Sequence, residues 1–63
     1  MTLLPRIERY LRTSAMPATR FGRETLGDPR FVFDLRAGRE PRRETERRVV
    51  SWLDARELQE GGR

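Results

Sequence analysis

The chain has 63 residues and contains neither cysteine nor histidine, so disulfides, the usual zinc ligands and the commonest general base are absent, and an enzyme is not expected. A chain this short forms one domain, and its stability has to come from closely packed helices. All 14 basic residues are arginine and the formal net charge is +4, which favours an anionic partner.

The first predicted helix covers residues 3–13, where Pro5 falls in the first turn and its missing N–H is tolerated. Residues 13–17 have no helical period and are predicted to form a connection, with Met16 facing inward. The apolar residues that recur at helical spacing in this first helix are Leu3, Leu4, Ile7, Tyr10 and Leu11.

The second predicted helix begins at Pro17 or Ala18 and ends near Thr25. Phe21 and Thr25 are four residues apart, so they share one face of this helix. The glycine at position 27 then ends it, because glycine adopts backbone conformations that stop a helix at little cost.

The third predicted helix runs from Pro29 to about Ala37. Asp28 can accept hydrogen bonds from the free N–H groups of the first turn, and a proline at the first helical position needs no partner there. Gly38 is predicted to end the helix in the left-handed conformation.

This third helix has two stripes of different character. Phe31, Val32 and Leu35 form an apolar stripe that predicts the core face. A purely structural helix would have no large aromatic residue on its second stripe, so Phe33 either completes the core or faces a ligand. The residues of the second stripe are Arg30, Phe33, Asp34 and Ala37.

The fourth predicted helix covers residues 43–54, or continues to Gln59. Val49, Trp52 and Leu53 are predicted to form its buried stripe. Trp52 and Leu53, with Leu58, make more apolar surface than a small monomer easily covers, which predicts a homodimer through this C-terminal helix. The expected fold is therefore an all-α compact bundle of four to five short helices, with a single domain over 1–59 and a flexible C-terminal tail over 60–63.

Several short motifs follow one another from Met16 to Leu53. They are a hydrophobic-small pair, a turn, a helix with a Val and a Leu three residues apart, a Gly-basic-x-Pro segment and a helix that begins with Glu-Thr. The residues are Met16, Phe21-Gly22, Val32 and Leu35, Gly38-Arg39-Glu40-Pro41, and Glu44-Thr45 with Val49 and Leu53. In this order and spacing the chain resembles the lambda-repressor-like helix-turn-helix family, also called the Cro/CI or Xre type.

The resemblance implies that the third helix enters the major groove of duplex DNA, and that Gly22 lets it approach the second helix closely. Asp34 is expected either to accept from a cytosine or to pair with Arg30, and the pair is slightly favoured. The residues expected nearest the bases are Pro29, Arg30, Phe33 and Asp34. Phosphate contacts are expected from Thr19, Arg20, Arg23, Arg36, Arg39, Arg42 and Arg43, since guanidinium groups match phosphate oxygens well.

The charge distribution agrees with this placement, because residues 1–43 have a net charge of +5 and residues 44–63 one of −1. The expected function is a sequence-specific regulator of transcription, a repressor that binds an inverted repeat as a dimer. An architectural or accessory DNA-binding protein, excisionase-like or nucleoid-associated, is the alternative, followed by an RNA-associated basic protein. No metal, cofactor or small-molecule ligand is expected, and no apolar run is long enough for a membrane span or a secretory signal, which favours the cytoplasm.

Overall fold

Helices make up most of the fold. The computed structural model describes residues 3–61, and the side chains of residues 3–59. No strand occurs among these residues, so the predicted all-α class and the order of the four helices are confirmed. The helices are α1 (Leu3–Ser14), α2 (Ala18–Leu26), α3 (Phe31–Arg36) and α4 (Arg43–Gly61).

One apolar core lies between the four helices, and each helix contributes residues three or four positions apart, as an amphipathic helix must. Met16, in the connection between α1 and α2, packs against this core, which confirms its predicted direction. The buried apolar residues are Leu3, Ile7, Tyr10, Leu11, Phe21, Phe31, Val32, Leu35, Val49 and Leu53.

An aromatic cluster joins α1, α2 and α4. The Trp52 ring lies edge-on to Tyr10 and Phe21, with ring centroids 5.5 and 5.2 Å apart. Leu53, one residue further, is completely buried, which confirms its predicted place in the core stripe and leaves it no part in a dimer surface. Leu58 is 75% exposed and is the residue of that predicted surface that solvent reaches most freely.

The turn between α2 and α3 corrects the predicted start of the third helix. Gly27 ends α2 with φ +71°, and its N–H donates to the Arg23 carbonyl at 2.9 Å. The Asp28 carboxylate accepts from the N–H of Arg30 at 3.0 Å, so it closes the turn and does not cap the helix. The helix α3 consequently begins at Phe31, two residues later than predicted.

The turn lies very close to α2 at Gly22. A Cβ atom at Gly22 would lie 2.1 Å from the Asp28 carbonyl oxygen and 3.3 Å from the Phe31 Cβ. The N–H of Asp28 also donates to the Gly22 carbonyl at 3.1 Å. Only glycine fits there without moving the turn, which confirms the predicted role of this residue.

The end of α3 is fixed as predicted. Gly38 has φ +99°, where residues with a Cβ are strained. Its N–H donates to the Leu35 carbonyl, and the N–H of Arg39 donates to the Asp34 carbonyl, both at 3.0 Å. These two bonds form a Schellman motif, which turns the chain back towards α3.

The helix α4 runs to Gly61, beyond both predicted ends, and α1 contacts its C-terminal half. Arg6 donates to Asp54 at 2.5 Å and to Glu57 at 2.8 Å. The predicted flexible tail begins at residue 60, but α4 includes residues 60 and 61; residues 62 and 63 lie outside the described part. Within residues 3–61, no helix has both the length and the apolar character needed to cross a membrane.

Candidate nucleic-acid interface

The outer face of α3 and of the turn before it combines charge with an exposed ring. Pro29 and Arg30 are exposed, and Phe33 is 46% exposed although it is a large apolar residue. Among the side chains described, Leu58 on α4 is the other large apolar residue with this property. We call Pro29, Arg30, Phe33 and Asp34 the α3 outer face. Phe33 is therefore not a core residue.

Asp34 is paired, but not with the predicted partner. Its carboxylate accepts from Arg39 Nη1 at 3.3 Å, and no ion pair joins it to Arg30 among the described side chains. The cause is the Schellman motif, which folds the backbone of Arg39 onto the Asp34 carbonyl and brings the two side chains together. Arg30 is left pointing to solvent without an acidic partner in residues 3–59.

Arg36 makes a contact that the sequence did not reveal. Its Nε and Nη2 donate to the two carboxylate oxygens of Glu8 on α1, both at 2.8 Å. This bidentate pair lowers the pKa of Glu8 below its ordinary value and raises that of Arg36, because each charged form is hydrogen-bonded by the other. The Arg36 guanidinium also lies 5.6 Å from the centre of the Phe33 ring.

Arg20 on α2 is also paired. Its Nε donates to Glu24 at 2.6 Å, and the other oxygen of Glu24 accepts from Arg56 on α4 at 3.3 Å. The hydrogen bond from Arg20 lowers the pKa of Glu24. Thr19, the residue before Arg20, is exposed.

The other predicted phosphate contacts have no acidic partner within residues 3–59. They are exposed, which leaves their guanidinium donors to solvent. A surface groove of about 430 Å³ between α3 and the start of α4 adds Arg48, which sequence reasoning missed, together with the acidic residue Glu40. The predicted residues without an acidic partner are Arg23, Arg42 and Arg43.

This surface places planar cationic donors beside an exposed apolar ring. Phosphate oxygens and base edges are recognised by groups of these kinds. Across the part of the chain that the structure describes, no group of three or more acidic side chains lies close enough together to hold a metal ion.

Comparisons of the chain with models of known protein families, with curated proteins and with solved structures found no match in any of the three. The resemblance to the lambda-repressor-like family thus stays a prediction.

Proposed function

We propose that the chain binds duplex DNA by inserting the α3 outer face into the major groove, in the manner of a helix-turn-helix regulator of transcription. The observation that carries this proposal is the exposed Phe33 beside Arg30. Three of the six residues of α3 are buried and hold the helix in the core. Phe33 lies outside that core, so its ring is free to contact a base that the flanking arginines bring close.

The attachment of α3 supports this function, because a recognition element must be held rigidly. The turn before the helix is bonded to Gly22, and the Schellman motif at Gly38 fixes its other end. Both ends of α3 are thereby tied down while one side remains exposed. In the groove, Arg30 would donate to the O6 and N7 atoms of a guanine, and Phe33 would contact a thymine methyl group.

Phosphate contacts would come from the arginines that flank this face. Arg23, Arg42 and Arg43 have no acidic partner among the described side chains, so no internal ion pair has to be broken before they bind. Each phosphate neutralised by such a contact releases condensed counterions, and affinity then depends strongly on salt.

The test is selection of bound sequences from a random duplex pool, followed by titration of Arg30→Ala. We expect one enriched sequence, a palindrome if the protein binds as a dimer. Arg30→Ala should weaken binding to that sequence by roughly 1–3 kcal/mol and binding to unrelated duplex much less.

Arg9→Ala is the matched control, since Arg9 is exposed on α1 and its loss changes the net charge equally. It should weaken binding to the selected and the unrelated duplex by the same small factor. If Arg30→Ala has the same effect on the two duplexes as Arg9→Ala, Arg30 does not read a base and this placement of α3 is wrong.

An architectural DNA-binding protein is the second candidate. Exposed arginines without acidic partners among the described side chains occur on α1 as well as on α2, in the turn before α3 and at the start of α4, which favours broad contact with phosphates. Tight, salt-dependent binding without any enriched sequence in the same selection would establish it in place of the regulator.

A further inference from the structure

Glu8 lies on α1 and is not among the residues predicted to contact DNA, yet it binds Arg36 of α3, which is. Its two oxygens take the Nε and Nη2 hydrogens of Arg36, which is 28 positions away along the chain. A guanidinium has five N–H donors in a rigid plane. The edge formed by Nη1 and the second hydrogen of Nη2 therefore stays available for another acceptor.

The orientation of this edge is fixed from two sides. Glu8 holds the plane through two hydrogen bonds, and the Phe33 ring lies beneath the guanidinium carbon at 5.6 Å. The side chain of Arg36 is 41% exposed, so its outward edge is accessible. An arginine that is already held in this way loses less conformational entropy when it binds a phosphate than a mobile one does.

We propose that Glu8 is a positioning residue of the DNA-binding surface. It orients Arg36 so that the free edge of the guanidinium binds a backbone phosphate, while the face of the guanidinium packs against the Phe33 ring. The inference rests on the proposed function. By its charge alone, an acidic residue would weaken the binding of a polyanion such as DNA. The proposal instead gives Glu8 a favourable effect on binding.

That sign provides the test. A carboxylate that acted only through its charge would repel DNA, and its removal would strengthen binding. If Glu8 positions Arg36, Glu8→Gln weakens binding although the net charge becomes more positive. One phosphate contact contributes about 0.9 to the slope of log affinity against log salt concentration. Loss of that contact therefore lowers the affinity by up to about eightfold at ~0.1 M salt.

Glu57→Gln is the matched control. Glu57 on α4 also binds an arginine of α1 through both carboxylate oxygens. These oxygens accept from Arg6 Nη2 at 2.8 Å and from Arg6 Nε at 3.4 Å. The substitution has the same effect on charge, but the pair lies between α1 and α4. The experiment titrates the full chain and both variants with one mixed-sequence duplex at several salt concentrations, after a thermal melt has shown that each is folded.

We expect Glu57→Gln to bind at least as tightly as the parent chain, and Glu8→Gln to bind more weakly with a shallower salt slope. Arg36→Lys, which keeps the charge but loses the planar fork, should weaken binding similarly. Adding Glu8→Gln to Arg36→Lys should then have little further effect, since both remove the same contact.

Two results would overturn the inference, and they differ from failure of the proposed function. Equal affinities for Glu8→Gln and Glu57→Gln, with a parent chain that binds duplex, would reject the role of Glu8 alone. An additive double variant would reject the link through Arg36. A parent chain that leaves the duplex unbound even at low salt would reject DNA binding itself, and the role of Glu8 with it.

Discussion

Trp52 on α4 and Phe33 on α3 both have an arginine over the ring, but their surroundings differ. Arg56 lies 4.6 Å from the Trp52 ring centre, and that ring is edge-on to two further aromatic rings. Arg36 lies 5.6 Å from the Phe33 ring, which has no aromatic neighbour among the described side chains and is 46% exposed. Both rings have an arginine on one face, so the role of each ring depends on its other, apolar contacts. Trp52 stabilises the fold, and Phe33 is available to a partner.

The largest effect is expected for Trp52→Ala, because it removes a ring that packs against Tyr10 and Phe21. We expect a loss of about 3 kcal/mol in the free energy of unfolding, measured by thermal or urea denaturation. Arg56→Gln is the control, since it removes the cation and leaves the ring, and it should cost about 1 kcal/mol or less. Similar losses for the two variants would show that the cation, not the aromatic contacts, stabilises this region.

Gly22→Ala tests how firmly the turn presents Phe33. The new Cβ would collide with the Asp28 carbonyl oxygen, and that strain should exceed the gain of about 1 kcal/mol in helix propensity. We expect a net destabilisation of about 1–2 kcal/mol in denaturation experiments. The exposed neighbour Arg23, changed to Ala, should alter stability by less than about 0.5 kcal/mol. A Gly22→Ala chain more stable than the parent would mean that the turn shifts freely.

Phe33→Ala should separate folding from binding. The free energy of unfolding should change by less than about 0.5 kcal/mol, because an exposed ring adds little to the core. Affinity for the selected duplex should fall by about 1 kcal/mol through loss of an apolar base contact. A melt and a titration on the same sample measure both quantities. The control is Phe31→Ala, where the ring is buried and the melting temperature should fall strongly. A melting temperature that falls as far for Phe33→Ala would make Phe33 a structural residue.

The smallest effect concerns the ion pair beside Phe33. Binding to Arg36 lowers the pKa of Glu8 in the folded chain, so the pair stabilises the protein above the ordinary carboxyl pKa of 4.5. That stabilisation is lost as the pH falls through the lowered pKa. Melting temperatures of the parent chain and Glu8→Gln should therefore differ by a few degrees near neutrality and converge in acid. A constant difference across the pH range would mean that the carboxylate charge is not what stabilises the pair.

Helix number, order and core residues could be predicted because they depend on local signals. Apolar spacing identified the buried faces, and glycines at positions 27 and 38 marked the ends of α2 and α3, since a left-handed backbone requirement is visible in the sequence. The same spacing placed Phe33 outside the apolar stripe of α3 but left two positions open, in the core or facing a ligand, and the structure has the ring exposed.

The errors concern signals with two meanings or contacts between distant residues. Asp28 accepts a hydrogen bond from an N–H two residues later in a turn, with the same chemistry as a helix cap, so the sequence alone could not distinguish the two. Arg39, and not Arg30, pairs with Asp34 because the chain turns back after Gly38. The Glu8–Arg36 pair joins two residues that are 28 positions apart on α1 and α3, and no local pattern indicates it.

The contact of Arg6 with Glu57 also has a consequence for folding kinetics. It joins residues 51 positions apart, so it closes nearly the whole chain into a loop, whereas the α2–α3 turn needs only neighbouring residues. Closing a long loop costs more chain entropy than forming a short turn. We therefore expect α2 and α3 to associate first and the end of α4 to dock after the rate-limiting barrier. Arg6→Ala should then accelerate unfolding and leave the refolding rate almost unchanged in stopped-flow experiments.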